Sequence, residues 1–416
     1  MVNALSRTLS RLRRLDRHGI ARYSRRLLRR LQGDDYARVD GRCRHSPEWL
    51  VLGVNNVCNL HCKMCDVGLG ESGTAFWANL IGQNPHNMTL ELLHEILRQA
   101  RAFRPRPQLS LGSTEPLIHP QIVEFTRAVV RQGFYCVIIS NGTTLPRLAP
   151  ALVQSGLHGL VLSLDGPAAV HNRIRGSRDS FEKLYRGAEL VTATKARLKR
   201  RYPRLELSFT ITDENYSNIL EFVQAVEPLQ PAAIHISHLN FITDGMAQVH
   251  NSRYGSDLPV ARSNLGVMDP AAFDTGAIWA ELQRVHAYVR SRGDAFPRVM
   301  ISPDFTSREG VDMLYHEPLT FVSGPRCTDP WRMMMIRTDG SVIPAQNRCY
   351  NFPIGNIQTT SLSDLWNNDR FRSFRQTLHR AGGTLPACSR CCGVLSKPPL
   401  DGVTLSDAGS YPPALV

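Results

Sequence analysis

Short apolar runs alternate with longer segments of helical periodicity between residue 50 and about residue 240. Six runs predict strands and the five segments between them predict helices. The predicted strands span residues 50–56, 108–112, 135–140, 159–164, 205–212 and 233–239, and the predicted helices span residues 89–103, 120–132, 147–155, 179–198 and 215–228. Strands that alternate with helices at this spacing form a parallel sheet with right-handed crossovers. Six strands are too few for a complete eightfold barrel.

Three cysteines follow the first predicted strand. Cys58, Cys62 and Cys65 lie within eight residues, directly after the apolar run 49–54. Thiolates are soft ligands that select iron–sulfur clusters, zinc or copper(I). This stretch alone leaves two interpretations open: an iron–sulfur cluster with one iron lacking a protein ligand, and a zinc site completed by His61.

The composition of the 416-residue chain is that of a soluble globular protein, with 42% hydrophobic and 20% charged residues. No run of eighteen apolar residues is present, and no apolar signal-peptide core follows the start. Ten cysteines in such a chain favour metal ligation in a reducing compartment over a disulfide framework. We therefore expect a cytoplasmic protein.

The net charge of +13 is concentrated at the N-terminus, where residues 1–33 hold ten arginines and one acid, Asp16. Apolar residues recur three or four positions apart, which predicts a basic amphipathic helix or a helix pair broken near Gly19. Such a segment is typical of peripheral contact with an anionic membrane surface, here the inner face. A helix docked on the barrel and an organellar transit peptide stay open as alternatives. No base-reading motif accompanies the charge, so a nucleic-acid substrate is not expected.

Further motifs follow the later predicted strands in a fixed order. They are Gly112-Ser113-Thr114-Glu115-Pro116 after the second strand, Ser140-Asn141-Gly142 after the third, Ser163-Leu164-Asp165-Gly166 after the fourth, and Ile174-Arg175-Gly176 shortly beyond. Together with the C-x3-C-x2-C run, this order resembles the radical S-adenosylmethionine (SAM) superfamily. The resemblance implies an α/β fold with a partial (β/α)6 TIM-like barrel of parallel strands.

The resemblance also implies the cofactors and the residues that hold them. Cys58, Cys62 and Cys65 would carry a [4Fe–4S] cluster whose open iron chelates SAM, and reduction would cleave SAM to methionine and a 5′-deoxyadenosyl radical. Glu115 would accept the methionyl amine, and Arg175 would bind the SAM carboxylate through its guanidinium fork. The full set of implied cofactor-binding residues is Met64, Ser113, Thr114, Glu115, Asn141, Ser163, Arg175 and Asn215.

A second group of cysteines lies near the C-terminus. Cys327 precedes a predicted hairpin with its turn at Asp339-Gly340, Cys349 follows it, and the run Cys388-Ser389-Arg390-Cys391-Cys392 comes last. This order resembles the SPASM or twitch extension, which holds an auxiliary [4Fe–4S] cluster. The family's usual second cysteine is replaced by Ala345, so we expect the ligands Cys327, Cys349, Cys388 and Cys391 on one auxiliary cluster. Cys392 in place of Cys391, and a four-thiolate zinc site, stay open.

These patterns predict the organisation of the whole chain. The expected segments are a basic N-terminal helical extension (1–46), the partial barrel (47–243), a connector and helix (244–320), a small α+β auxiliary-cluster domain (321–395) and a tail (396–416). Within them, residues 66–88 are expected to form a long loop, and residues 244–268 a polar connector before a helix near 270–292.

We expect a radical SAM oxidoreductase that abstracts hydrogen from an unactivated carbon, with the auxiliary cluster accepting an electron. The expected substrate is a sugar or aminocyclitol, or a membrane-associated anionic molecule. A radical SAM maturase of a ribosomally made peptide and a non-catalytic iron–sulfur electron carrier remain as alternatives. The resemblance implies an electron donor such as flavodoxin or ferredoxin. Candidate acids and bases on the substrate side are His235, His238 and Asp304, from their positions at or after the last predicted strand.

Overall fold

The structure is a computed structural model that describes residues 34–81, 84–112, 114–293, 296–324 and 326–397. The expected helix within residues 1–33, Ser113 and most of the expected tail lie outside the described residues. No helix in the described part of the chain is long and apolar enough to cross a membrane.

Ten strands form a single sheet. They are β1 (Trp49–Gly53), β2 (Gln108–Gly112), β3 (Cys136–Ser140), β4 (Gly159–Ser163), β5 (Arg204–Thr210), β6 (Ala233–Ser237), β7 (Arg298–Ser302), β8 (Met333–Ile336), β9 (Ser341–Pro344) and β10 (Gly355–Asn356). Their spatial order is β10-β9-β8-β1-β2-β3-β4-β5-β6-β7. Strands β1 to β7 pair in parallel, which confirms the six predicted strands and their parallel arrangement.

The described helices alternate with these strands and continue into the C-terminal region. They are α1 (Asp66–Leu69), α2 (Ala75–Leu80), α3 (Leu90–Ala100), α4 (Ile122–Arg131), α5 (Leu145–Ser155), α6 (Ala168–Ile174), α7 (Ser180–Arg197), α8 (Ile219–Ala225), α9 (Asp244–Tyr254), α10 (Thr275–Arg292), α11 (Arg308–His316), α12 (Leu362–Leu365), α13 (Asp369–Arg380) and α14 (Cys392–Leu395). Helices α3, α4, α5, α7 and α8 match the five predicted helices to within a few residues, and α10 matches the helix expected near 270–292.

Two segments expected to lack helices contain them. The presumed long loop 66–88 includes α1 and α2, and the hydroxyl of Thr74 caps α2 by accepting a hydrogen bond from the Trp77 amide at 3.1 Å. The presumed polar connector 244–268 includes α9, which the Thr243 hydroxyl caps through the Met246 amide at 3.2 Å. In both places a threonine N-cap starts a helix too short or too polar to show a clear periodicity.

The parallel sheet also extends beyond the six predicted strands. β7 pairs with β6 from Ala233–Arg298 to Ser237–Ser302, inside the segment expected to be a connector. On the side of β1 away from β2, β8 pairs in parallel with β1, and β9 folds back on β8 as the predicted hairpin. The C-terminal hairpin is therefore continuous with the barrel sheet.

The core lies on both faces of this sheet. Alternate residues of β1 divide between the faces, since Leu50 and Leu52 pack in the large core with the helices, whereas Trp49 and Val51 pack in a smaller core on the other face. Both faces being apolar explains why the strands appear as nearly continuous apolar runs in the sequence. The carboxyl ends of β1 to β6 meet at one edge, where enzymes with this architecture place their active sites.

Candidate active site with two cysteine-lined cavities

The loop after β1 brings three cysteines to the carboxyl edge of the sheet. Cys58, Cys62 and Cys65 line one open cavity. The Lys63 amide donates to the Ile174 carbonyl at 2.9 Å, which ties this loop to the end of α6. Gly176 completes the contact with φ +62°, and a Cβ there would lie 2.7 Å from the His61 carbonyl oxygen. Only glycine permits this close approach of the two backbones.

His61 does not complete a metal site with these cysteines. Its ring is exposed, and its Nδ1 lies 3.3 Å from the Gly68 carbonyl. It is not among the described residues that line the cavity. The position of His61 therefore does not support a zinc site with three cysteine ligands and one histidine ligand in this loop.

The three thiols are the soft donor set that an iron–sulfur cluster requires. Burial raises the pKa of Cys58 to about 12 and that of Cys62 to about 11. A strong local positive charge is needed to deprotonate them, and bound iron supplies it, since metal-coordinated thiols lose their protons. No three Cys, His, Asp or Glu side chains within the described ranges are placed to hold a single metal ion.

Glu115 lies on the same cavity and is fully enclosed by donors. One carboxylate oxygen accepts hydrogen bonds from the Leu117 amide at 2.9 Å and the Ser140 hydroxyl at 2.7 Å, and the other accepts from the Asn141 amide at 2.6 Å. Burial raises the pKa of Glu115 to about 7, and these donors oppose the shift. Thr114 also lines the cavity, and its hydroxyl donates to the Asn55 carbonyl at 3.0 Å.

Arg175 lines the cavity, and its guanidinium is paired with Asp165. Its Nε donates to Asp165 at 2.6 Å, and its Nη1 lies 3.7 Å from the Cys62 sulfur. Asp165 is fully buried. Asp165 belongs to the Ser163-Leu164-Asp165-Gly166 motif, but no local sequence signal indicates its pairing with Arg175.

The other implied cofactor residues fall into two groups. Met64, Asn141 and Ser163 line the cavity with Glu115 and Arg175. Asn215 is fully buried and is not among the described residues on the cavity wall. Its carboxamide instead accepts from the Thr212 amide at 2.7 Å and donates to the Asp165 carbonyl at 3.0 Å.

The three candidate acids and bases on the substrate side are engaged elsewhere. His235 lies 2.9 Å from Glu206, and His286 lies 2.9 Å from Asp304. His238 lies 3.0 Å from the Tyr315 hydroxyl, and burial lowers its pKa to about 3. None of the three is among the described residues that line either of the two cysteine-lined cavities.

Four of the C-terminal cysteines line a second cavity. They are Cys327, Cys349, Cys388 and Cys391, the set expected from the sequence. Cys392 is not among its described lining residues, and the Cys392 sulfur accepts a hydrogen bond from the Gln346 carboxamide. Burial raises the pKa of Cys388, while a hydrogen bond with the Tyr350 hydroxyl opposes the increase. Four thiols around one cavity fit a fully ligated cluster.

The two cavities share a wall made of Phe76, Asn240 and Arg348. The Arg348 guanidinium lies 4.3 Å from the centre of the Phe76 ring. The Asn79 carboxamide of α2 donates to the Asn347 carbonyl at 2.9 Å and to the Cys349 carbonyl at 2.7 Å. Helix α2 thus fastens the auxiliary cysteine loop to the first cavity. These wall residues are far apart in the sequence, and only tertiary contact brings them together.

Comparison with known proteins identifies both cysteine regions. Residues 53–224 match the radical SAM superfamily, and residues 327–392 match the SPASM iron–sulfur cluster-binding domain. The AdoMet-dependent heme synthase of Methanosarcina barkeri is 22% identical over 80% of this chain and 85% of its own. The PqqA peptide cyclase of Gluconobacter oxydans is 23% identical over 80% of each chain. Streptococcus suis SuiB, solved bound to the precursor peptide SuiA, shares the fold with TM-score 0.54 at 15% identity, over 84% of this chain and 72% of that one.

These matches confirm both resemblances that the motifs indicated. The radical SAM domain implies SAM and a [4Fe–4S] cluster, and the SPASM domain implies further iron–sulfur ligation, in agreement with the two cysteine-lined cavities. The chain therefore belongs to the radical SAM superfamily and is a SAM-dependent radical enzyme with a C-terminal SPASM iron–sulfur domain.

Proposed function

We propose that this enzyme catalyses a net oxidation of its substrate, in which the electron lost by the substrate leaves through the auxiliary site. The observation that carries this proposal is the wall of Phe76, Asn240 and Arg348, which belongs to both cavities. A substrate carbon beside this wall lies next to both sites. The loss of one hydrogen atom, one proton and one electron then leaves a dehydrogenated product or a new bond.

The chain's own residues prepare the first cavity for SAM. Cys58, Cys62 and Cys65 would hold the SAM cluster, and the donors around Glu115 fix its carboxylate for the methionyl ammonium. Arg175 supplies a fixed positive charge for the SAM carboxylate. When bound, the SAM cluster supplies the electron that cleaves SAM, and the auxiliary cluster supplies an acceptor for the electron that the substrate loses. Radical SAM enzymes generally receive the first electron from flavodoxin or ferredoxin.

A ribosomally made peptide is the substrate class we favour. One relative is named as a peptide cyclase, and SuiB was solved with a precursor peptide. Within this chain, Asn240 lines both cavities and Asn264 lines the second. The Asn264 Oδ1 is buried and has no hydrogen-bond partner among the described residues. Carboxamides at these positions can pair with peptide groups of a substrate.

The second candidate is a sugar, an aminocyclitol or an anionic molecule at a membrane surface. The feature that favours the membrane-associated form is the net charge of +9 within residues 1–33. Removal of these residues is expected to abolish binding to anionic vesicles and leave binding to neutral vesicles unchanged. Equal binding of the truncated and full-length chains to anionic vesicles would remove the support for a membrane-associated substrate.

Formation of 5′-deoxyadenosine tests the radical step. The anaerobically reconstituted, reduced protein is expected to convert SAM to 5′-deoxyadenosine, and the Cys62→Ala variant is expected to form none. The Cys388→Ala variant is expected to form 5′-deoxyadenosine but to release no oxidised product when supplied with substrate. Oxidised product from a variant that lacks the auxiliary cluster contradicts the proposed electron route.

A further inference from the structure

A tyrosine hydroxyl lies against one of the auxiliary cysteines. The Tyr350 Oη is 3.3 Å from the Cys388 sulfur, which is hydrogen-bonding distance for sulfur. Both side chains are buried, with Tyr350 7% and Cys388 9% exposed. Both also line the second cavity. Tyr350 directly follows another cysteine of that cavity, Cys349.

The ring of Tyr350 is held in this position by two aromatic neighbours. It stacks on His250, with ring centroids 5.3 Å apart and an angle of 19° between the planes. It meets Phe374 edge-on at 6.1 Å. His250 is itself fixed, because its Nε2 lies 2.8 Å from the Leu258 carbonyl, which can only accept. The hydroxyl is therefore preorganised beside the sulfur.

The direction of this hydrogen bond follows from the chemistry of a ligated cysteine. A cysteine bound to iron is a thiolate, which has no proton to donate, so the Tyr350 hydroxyl must be the donor. Hydrogen bonds to the sulfurs of an iron–sulfur cluster are among the determinants of its reduction potential. A donor stabilises the reduced state more, because reduction increases the negative charge on the sulfurs.

We propose that Tyr350 is a positioning residue that raises the reduction potential of the auxiliary cluster through the Cys388 sulfur. The effect makes the auxiliary cluster a better acceptor of the electron that the substrate loses. This inference rests on the proposed function, because it assumes a cluster in the second cavity.

Replacement of the hydroxyl alone tests the inference. Tyr350→Phe keeps the stacked ring and removes the donor. It is measured by redox titration with electron paramagnetic resonance, in a full-length background whose Cys58, Cys62 and Cys65 are alanine, so that only the auxiliary cluster contributes. We expect the ratio of reduced to oxidised cluster at a fixed potential to fall about tenfold, equivalent to a midpoint ~59 mV more negative.

Tyr315→Phe is the matched control. Its hydroxyl is also buried and lies 3.0 Å from His238, but Tyr315 is not among the described residues that line the second cavity. We expect its midpoint to equal that of the parent. A general loosening of the fold would shift both variants alike, and equal shifts would overturn the inference.

A second readout detects the donated proton itself. After exchange into D2O, electron–nuclear double resonance of the reduced auxiliary cluster is expected to show a deuteron coupling that Tyr350→Phe removes. An unchanged midpoint together with an unchanged coupling would overturn the role of Tyr350 and leave the proposed function intact. A parent protein without an auxiliary cluster would instead overturn the proposed function.

Discussion

Asp165 and Arg175 form a buried ion pair between the end of β4 and the end of α6. The guanidinium Nη2 lies 2.5 Å from Asp165 Oδ2, and the other carboxylate oxygen accepts from the Thr210 amide at 2.9 Å. The same guanidinium reaches the Cys62 sulfur at 3.7 Å. The Asp165 carboxylate therefore links the ends of β4 and β5 and holds the Arg175 guanidinium in place. Through Arg175 it also contacts the cysteine loop of the SAM site.

Removal of the Asp165 charge is expected to be strongly destabilising. Asp165→Asn leaves the Arg175 guanidinium buried without its counter-ion, which costs roughly 3–5 kcal/mol in the free energy of unfolding. Asp179→Asn is the control, since Asp179 pairs with Lys183 at 2.9 Å and both side chains are about half exposed. An exposed pair of this kind contributes less than about 1 kcal/mol. Urea unfolding of the reduced, cluster-free proteins measures both, and similar losses would contradict the prediction.

Glu115 is expected to make stability fall as the pH rises. Burial raises its pKa from 4.5 to about 7, so the folded protein retains a proton that the unfolded chain releases. The stabilisation is complete below pH 4.5 and is lost as the pH rises through about 7. This shift corresponds to ~3 kcal/mol.

The Glu115→Gln variant has no carboxyl group to titrate at this position. Urea unfolding of the cluster-free proteins at pH 5 and pH 8 is expected to show a larger decrease for the parent than for the variant, by ~2.5 kcal/mol. The quantity compared is the change in the free energy of unfolding between pH 5 and pH 8. The variant's amide alters stability by the same amount at both pH values, so this change does not include it. Equal pH dependence in the two proteins would show that Glu115 is ionised throughout.

The strands of the barrel could be predicted because each is a short apolar run, and burial on both faces produces that pattern without any knowledge of neighbours. β7 was missed because the run Arg298–Ser302 lies in a region without clear strand–helix alternation. Pairing with β6 is what makes it a strand. The cysteines of the first cavity could be predicted because they lie within eight residues of one another. Those of the second cavity could be predicted because they follow the order of cysteines in the SPASM family.

The partners of the site residues could not be predicted in the same way. Arg175 was expected at the SAM carboxylate, but its pairing with Asp165 depends on how α6 returns to the sheet. Asn215 was expected to contact a cofactor, and the structure shows its carboxamide bonded within the loops that follow β4 and β5. Tyr350 approaches Cys388 across 38 residues of sequence, a contact that no local pattern reveals.

The iron content of cysteine variants is expected to show which cysteines bind the auxiliary cluster. Cys349→Ala removes a thiol that lines the second cavity, so the reconstituted protein should bind about half the iron of the parent. Cys392→Ala removes a thiol that is bonded to Gln346 and should leave the iron content unchanged. Iron and sulfide analysis after anaerobic reconstitution measures both. The reverse result would place Cys392 among the ligands.

Asn215 is expected to act in stability, whereas Asn141 is expected to act in cofactor binding. Asn215→Ala leaves the Asp165 and Thr210 carbonyls and the Thr212 amide buried without their partner, and is expected to lower the free energy of unfolding by about 3 kcal/mol. Its affinity for SAM should stay within about threefold of the parent, since Asn215 is not among the described residues on the cavity wall.

Asn141 is the matched amide on that wall. Its carboxamide donates to Asn59 at 3.0 Å and lies 4.0 Å from the Cys58 sulfur, so Asn141→Ala is expected to weaken SAM binding by about tenfold or more. Equilibrium dialysis of SAM with the reconstituted variants and urea unfolding of the cluster-free proteins give the two readouts. If Asn215→Ala loses SAM affinity at unchanged stability, the sequence-based assignment of Asn215 to the cofactor is correct. If it loses stability alone, its carboxamide acts by holding the loops after β4 and β5, and through them the Asp165 carboxylate that fixes Arg175.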